Sequence, residues 1–264
     1  MLIDTHCHLA SPRFRDEIPQ IVEAAREAGV ERIVTIACDL EDSPVNIDLA
    51  AEFDGVYATV GIHPCYVHEI ESEDWVAELR TLAAAPKVVA IGEIGLDYFH
   101  APPEGFDETG WKKLQHEIFR TQLDLAVELD LPVVIHQRES NEDIMAVLET
   151  FAGSSLRAVL HCYTGSLEQA ERAFELGHLV SFTGIVTFPK ATDVQQVAAA
   201  VPSGRFMVET DSPYLAPVPN RGKRCQPADT LHTARHLADL RNVTFEKLAQ
   251  ETTDSARSFF GITD

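Results

Sequence analysis

A short β-branched or apolar run followed by an Ala/Glu/Leu-rich helical stretch recurs along the whole chain, and no other feature limits the fold so strongly. The candidate strands are Leu2–Asp4, Arg32–Ile36, Val56–Val60, Val88–Ile91, Val133–Ile135, Ala158–Leu160, Leu179–Phe182 and Phe206–Val208. The segments Ile18–Ala28, Asp74–Ala85, Trp111–Leu129, Glu142–Phe151, Leu167–Leu176, Val194–Ala200, Pro227–Leu240 and Thr244–Phe260 read as helices, the last of them broken. Glycines stand where such helices should end, Gly29 after Ala28 and Gly177 after Leu176. Parallel strands can be joined only by a crossover, so strands alternating with helices predict a mainly parallel sheet. Eight such units predict a (β/α)8 TIM-type barrel, with a doubly wound open sheet as the alternative topology. With 264 residues, 45% of them hydrophobic, and no internal repeat or Gly/Ser linker, a single domain over residues 1–264 is expected. The longest excursion is expected between the fourth and fifth strands, at Asp97–Gly110.

Active sites of barrels form at the C-terminal ends of the strands, so the residues that follow each apolar run carry the functional information. The first strand runs into His6 and His8, two positions apart and therefore on one side of an extended chain. The third runs into His63, the fourth into Glu93, the fifth into His136, the sixth into His161 and the eighth into Glu209-Thr210-Asp211. Imidazoles and carboxylates gathered at strand ends predict a divalent-metal site. His6, His8, His136 and His161 with Glu93 and Asp211 are more donors than one tetrahedral ion needs, and a carboxylate can bridge two ions. One or two ions are therefore expected, of zinc, manganese or magnesium, supporting hydrolysis without an organic cofactor.

Composition narrows the remaining choices. The five cysteines are scattered and contain no Cys-x-x-Cys, so neither a disulfide framework nor a thiolate zinc site is suggested. Cys7 and Cys162 adjoin candidate ligands but alternate to the opposite face, which favours packing. His232 and His236 have helical metal-site spacing but lack the adjoining Glu of that motif. No stretch is apolar enough to span a bilayer and no leader is evident, which predicts a soluble, cytoplasmic protein. The net charge of −21 argues against a general affinity for duplex nucleic acid or anionic membrane. An anionic substrate would have to be held locally.

Several blocks of the sequence together resemble the TatD family of metal-dependent deoxyribonucleases, within the amidohydrolase superfamily. They are His6-x-His8, Gly92-Glu93-Ile94-Gly95-Leu96-Asp97-Tyr98, Pro132-Val133-Val134-Ile135-His136-x-Arg138, His161-Cys162-Tyr163-x-Gly165 and Glu209-Thr210-Asp211-Ser212-Pro213-Tyr214-Leu215. The resemblance spans essentially the whole chain and implies a (β/α)8 fold and metal-dependent phosphodiester hydrolysis, often of DNA from the 3′ end. It also implies that His6, His8, Glu93 and Asp211 hold one metal, and Glu93, His136 and His161 the other. Two positions depart from the family pattern. Glu139 follows Arg138 where the family often has Asp, and Cys225-Gln226 replaces the common Asn-Glu before Pro227.

Asp211 and Glu93 are the candidate catalytic residues, Asp211 as ligand and acceptor of a proton from the nucleophilic water. His63, Arg138, Arg221 and Lys223 are candidate substrate contacts, since guanidinium meets phosphate in a bidentate fork. Asp97 reads as an anchor for the loop or for a metal-ligating side chain rather than as a ligand itself, and His100 lies in the long loop, within reach of substrate but without an argued partner. The leading expectation is a 3′–5′ exodeoxyribonuclease acting on DNA ends or short nucleic acid, monomeric and away from membranes. An ester or amide hydrolase, aminoacyl-tRNA esters included, is the alternative, because the same activated water attacks a carbonyl. A non-catalytic metal-binding protein is the third reading.

Overall fold

The computed structural model describes residues 1–263. Its strands are β1 (Leu2–Cys7), β2 (Val30–Thr35), β3 (Val56–Val60), β4 (Val88–Asp97), β5 (Val133–Arg138), β6 (Ala158–Leu160), β7 (Leu179–Phe182) and β8 (Phe206–Val208). All pair in parallel in chain order, from β1 beside β2 to β7 beside β8, in one eight-stranded sheet. The helices between and after them are α1 (Ile18–Glu27), α2 (Asp42–Glu52), α3 (Trp75–Ala83), α4 (Glu108–Leu129), α5 (Asn141–Glu149), α6 (Leu167–Glu175), α7 (Thr192–Ala200), α8 (Thr230–Leu240) and α9 (Phe245–Phe260). The single-domain (β/α)8 barrel is thus the observed fold, and the open sheet is not.

Strand alternation explains how one sheet builds two cores. Ile33, Val133, Ile135, Ala158, Leu160, Phe206 and Val208 pack outward among helix residues such as Ile21, Leu49 and Leu123. Their neighbours Val34, Val134, Val159 and Met207 point the other way and join Ile3 in a second cluster. Phe259, Phe260 and Ile262, at the end of α9, belong to that inner cluster and cap the floor of the barrel. The apolar floor leaves the opposite end for polar residues.

The barrel closes through side chains as much as through backbone. Between β8 and β1 the ladder is reduced to Cys7 opposite Ser212. Asp211 N–H donates to His6 O at 2.8 Å, and His8 N–H donates to Ser212 O at 2.8 Å. Buried Asp4 reinforces the seam, accepting from Thr210 N–H at 2.9 Å and from its hydroxyl at 2.7 Å. The join that completes the barrel therefore fixes His6, His8 and Asp211 relative to one another.

Several expectations need correction. β4 does not end at Ile91 but runs to Asp97, so Glu93 lies within a strand. α2 was not foreseen, and α9 is continuous rather than broken. The longest irregular stretch is not Asp97–Gly110 but residues 209–226 after β8. Among the described residues no helix is long and apolar enough to cross a membrane.

Candidate metal centre

The same period of two that builds the inner core delivers the site. His136 stands two residues beyond inward Val134, His161 two beyond Val159, and Glu209 two beyond Met207. β1 breaks the rule, because its register with β2 shifts between Asp4 and Cys7, around His6. β4 bends, and its glycines permit this. A Cβ on Gly92 would lie 2.7 Å from Val134 Cβ, and one on Gly95, whose φ is +144°, would lie 2.0 Å from His136 O. The Gly-Glu-Ile-Gly sequence is thus the condition for pressing Glu93 against β5.

Glu93, 3% exposed, sits between two groups of donors. Its Oε2 is 3.4 Å from His6 Nε2 and 3.9 Å from His8 Nε2. Those nitrogens are 3.4 Å apart, and Asp211 Oδ1 lies 3.7 Å from His6 Nε2 and 3.4 Å from His8 Nε2. A tetrahedral ion with bonds of about 2.05 Å has ligand–ligand edges of about 3.3 Å. His6, His8 and Glu93 offer ligand atoms that all lie within 4.8 Å of one another, with Asp211 beside the two imidazoles, and a divalent ion fits among them. On the other side Glu93 Oε1 lies 2.7 Å from both His136 Nδ1 and His161 Nε2. This second group is drawn in to hydrogen-bond distance.

Three of the four imidazoles have an acceptor behind the ring, whereas buried His6 Nδ1 has no hydrogen-bond partner among the described residues. His8 Nδ1 faces the Ile36 carbonyl at 3.2 Å, and a carbonyl only accepts, so Nδ1 carries a proton there and Nε2 is the nitrogen presented to the site. His136 Nε2 is 3.0 Å from Asp97 Oδ2, and His161 Nδ1 is 3.5 Å from Glu209 Oε1. Glu209 is itself held, accepting from Cys162 N–H at 2.7 Å and from the Ser181 hydroxyl at 2.6 Å. Asp97 and Glu209 are carboxylates behind ligand-competent histidines, an arrangement that fixes ring orientation. His63 is turned the other way. Its Nδ1 accepts the Cys65 N–H at 3.1 Å, so the neutral ring carries its proton on Nε2, 3.7 Å from Glu93 Oε1.

Burial opposes charge throughout this cluster, and the neighbours decide the outcome. Burial pushes the Glu93 carboxyl up, but the His161, His63 and His6 rings outweigh it and hold it well below its usual range. Asp211 is likewise held low against burial, chiefly by the His8 hydrogen bond. His161 is lifted well above 6.5, burial notwithstanding, by Glu93 and Glu209, and His136 is raised by its bonds to Asp97 and Glu93. His6 is kept neutral by burial and the adjacent His161 charge, and His63 is pushed down to about 3 by burial and His136. Ionised carboxylates are thus balanced here by imidazolium protons. A divalent cation would displace those protons, so its binding strengthens as pH rises.

The structure brings together His6, His8, His63, Glu93, His136, His161 and Asp211 as the sequence predicts. Arg138 lies on the same rim, its guanidinium 3.7 Å from the centre of the Phe99 ring. Arg221 and Lys223 lie in the 209–226 loop, where Arg221 stacks over Phe188 at 4.4 Å and Lys223 Nζ reaches Asn220 Oδ1 at 3.3 Å. Arg224 is committed to Glu17 at 2.6 Å. Glu209 and Asp4 were not assigned roles from sequence, and Asp97, expected to anchor the loop or a ligand, is paired with His136. Glu209 was readable from its two-residue offset to Met207, whereas the Asp97 contact depends on β4 continuing past Ile91.

Comparison with known proteins places this geometry in a family. The profile described as TatD related DNase matches residues 3–261. The Bacillus subtilis "uncharacterized metal-dependent hydrolase YabD" is 37% identical over 262 residues, covering 99% of this chain and 100% of that protein. The "3'-5' ssDNA/RNA exonuclease TatD" of Erwinia amylovora is 32% identical over 270 residues, covering 99% and 100%. The solved structure of YjjV, a TatD homolog from Escherichia coli K12, matches with a TM-score of 0.90 and 30% identity, covering 99% of this chain and 98% of that one. The chain belongs to the TatD family of metal-dependent hydrolases.

Proposed function

We propose that the chain is a divalent-metal-dependent phosphodiesterase that shortens DNA from its 3′ end. The observation that carries this reading is that the two oxygens of Glu93 face two separate donor groups. On this reading His6, His8, Glu93 and Asp211 hold one ion, and Glu93, His136 and His161 a second. Ions so held would polarise a phosphoryl group and supply an activated water near neutral pH. The chain's own residues complete the chemistry. Asp211, kept ionised beside His8, accepts the proton of the attacking water. His63 offers its Nε2–H to a phosphoryl oxygen, and being neutral over the working range it acts as a donor rather than a proton source. Arg138 and the loop residues Arg221 and Lys223 meet substrate phosphates on an otherwise acidic molecule. The name of the Erwinia relative and the description of the family both favour nucleic acid over carboxylic esters.

Metal-reloaded protein offered end-labelled single- and double-stranded DNA, RNA and a panel of carboxylic esters tests the proposal. Stepwise shortening from the 3′ end, abolished by chelation, is the expected result. Turnover of esters with intact nucleic acid would transfer the assignment to an ester hydrolase.

A further inference from the structure

Three donors of different kinds meet beside the metal centre, none of them among the residues proposed to hold its ions. Cys65 lies in the 3₁₀ turn Pro64–Glu69 after β3, Asp97 ends β4, and His100 stands in the loop that follows. His100 Nδ1 is 2.9 Å from Asp97 Oδ2 and 3.7 Å from Cys65 Sγ, and the three ligand atoms all lie within 4.8 Å of one another. A tetrahedral zinc with ordinary bonds to sulfur and nitrogen sets that sulfur–nitrogen edge at about 3.6 Å. Cys65 and His100 therefore already stand at ligating separation. The His100–Asp97 contact is a hydrogen bond that must open by roughly 0.4 Å to become an edge of the same polyhedron.

A nucleophilic Cys–His pair is the competing reading, and the geometry rejects it. Such a pair needs one ring nitrogen on the sulfur and the other on the orienting carboxylate. Here both the sulfur and the carboxylate approach the same Nδ1, so the ring cannot relay a proton between them. Access favours an ion. The His100 side chain is 54% exposed while Asp97 is buried, which gives an arriving cation a solvent-facing donor and a fixed anchor.

We propose that Cys65, Asp97 and His100 form a third cation site, selective for zinc-class ions. A thiolate donor disfavours magnesium and calcium, which take oxygen ligands, and favours zinc. The thiol proton leaves to solvent as the ion binds. Water fills the open vertex at the exposed edge. Asp97 Oδ2 is also 3.0 Å from His136 Nε2, so an ion seated here draws on the carboxylate that orients a histidine of the main centre.

Wild type, Cys65→Ser and His100→Ala, each carrying its main-centre metals, are dialysed against the same defined free zinc and analysed for metal. Cobalt-reconstituted samples are read by absorption. Wild type should retain one more zinc per chain than either variant, and cobalt should give a thiolate charge-transfer band that Cys65→Ser lacks. Equal zinc content in wild type and either variant would overturn the proposal. So would a band that survives Cys65→Ser, since Cys38 Sγ, 3.7 Å from His8 Nδ1, would then be its source. Neither readout depends on which substrate the enzyme hydrolyses.

Discussion

Asp211 occupies backbone space that few side chains tolerate, with φ of +58°. Asp and Asn are the non-glycine residues that enter this left-handed region most readily, so Asp211→Asn keeps the backbone while removing charge and basicity. Under the proposed mechanism kcat should fall by about two orders of magnitude or more, the scale of general-base loss, with the His136/His161 metal retained. Near wild-type turnover in a folded, metal-loaded variant would remove Asp211 from the chemistry. At this scale most of the site was legible, because His6, His8, Glu93, His136, His161 and Asp211 each follow an apolar run. Their supporting carboxylates were less so. Asp97 and Glu209 act on rings delivered by other strands, and such pairings exist only after the barrel closes.

The elements that escaped the sequence did so for identifiable reasons. The buried face of α2 includes Ser43 and Asn46, bonded to Asp39 O at 2.7 Å and Thr35 Oγ1 at 2.6 Å, so it lacks the apolar stripe that marks a helix. α9 contains Thr252, Thr253 and Ser255, poor helix formers that suggest a break. Two of their hydroxyls bond within the helix, Thr252 to Leu248 O at 3.0 Å and Ser255 to Glu251 O at 2.9 Å, so burying them leaves no unmet donor. The join between α6 and β7 carries His178, 2% exposed and with no partner on either ring nitrogen among the described residues. Burial lowers its pKa from 6.5 to about 4. The unfolded chain therefore binds more protons between those values, and stability falls as pH drops from about 6.5 to about 4. The loss is on the order of 3 kcal/mol. Denaturant unfolding of wild type and His178→Leu across that window should show a shallower acid loss in the variant. Parallel curves would mean that His178 titrates normally.

The whole molecule is acidic, net −21, and Arg138, Arg221 and Lys223 are the cationic residues proposed to meet substrate. It should therefore act on strand ends or short pieces and hold intact duplex weakly once its metals are removed. Tight binding of long duplex by chelated protein, falling steeply with salt, would contradict that picture. The most direct test of the central claim is metal analysis of wild type and Glu93→Ala after dialysis against the same buffered divalent metal. If one carboxylate joins the His6/His8/Asp211 and His136/His161 groups, wild type retains two main-centre ions per chain and Glu93→Ala, still folded, loses both. Retention of both ions in Glu93→Ala would contradict the account.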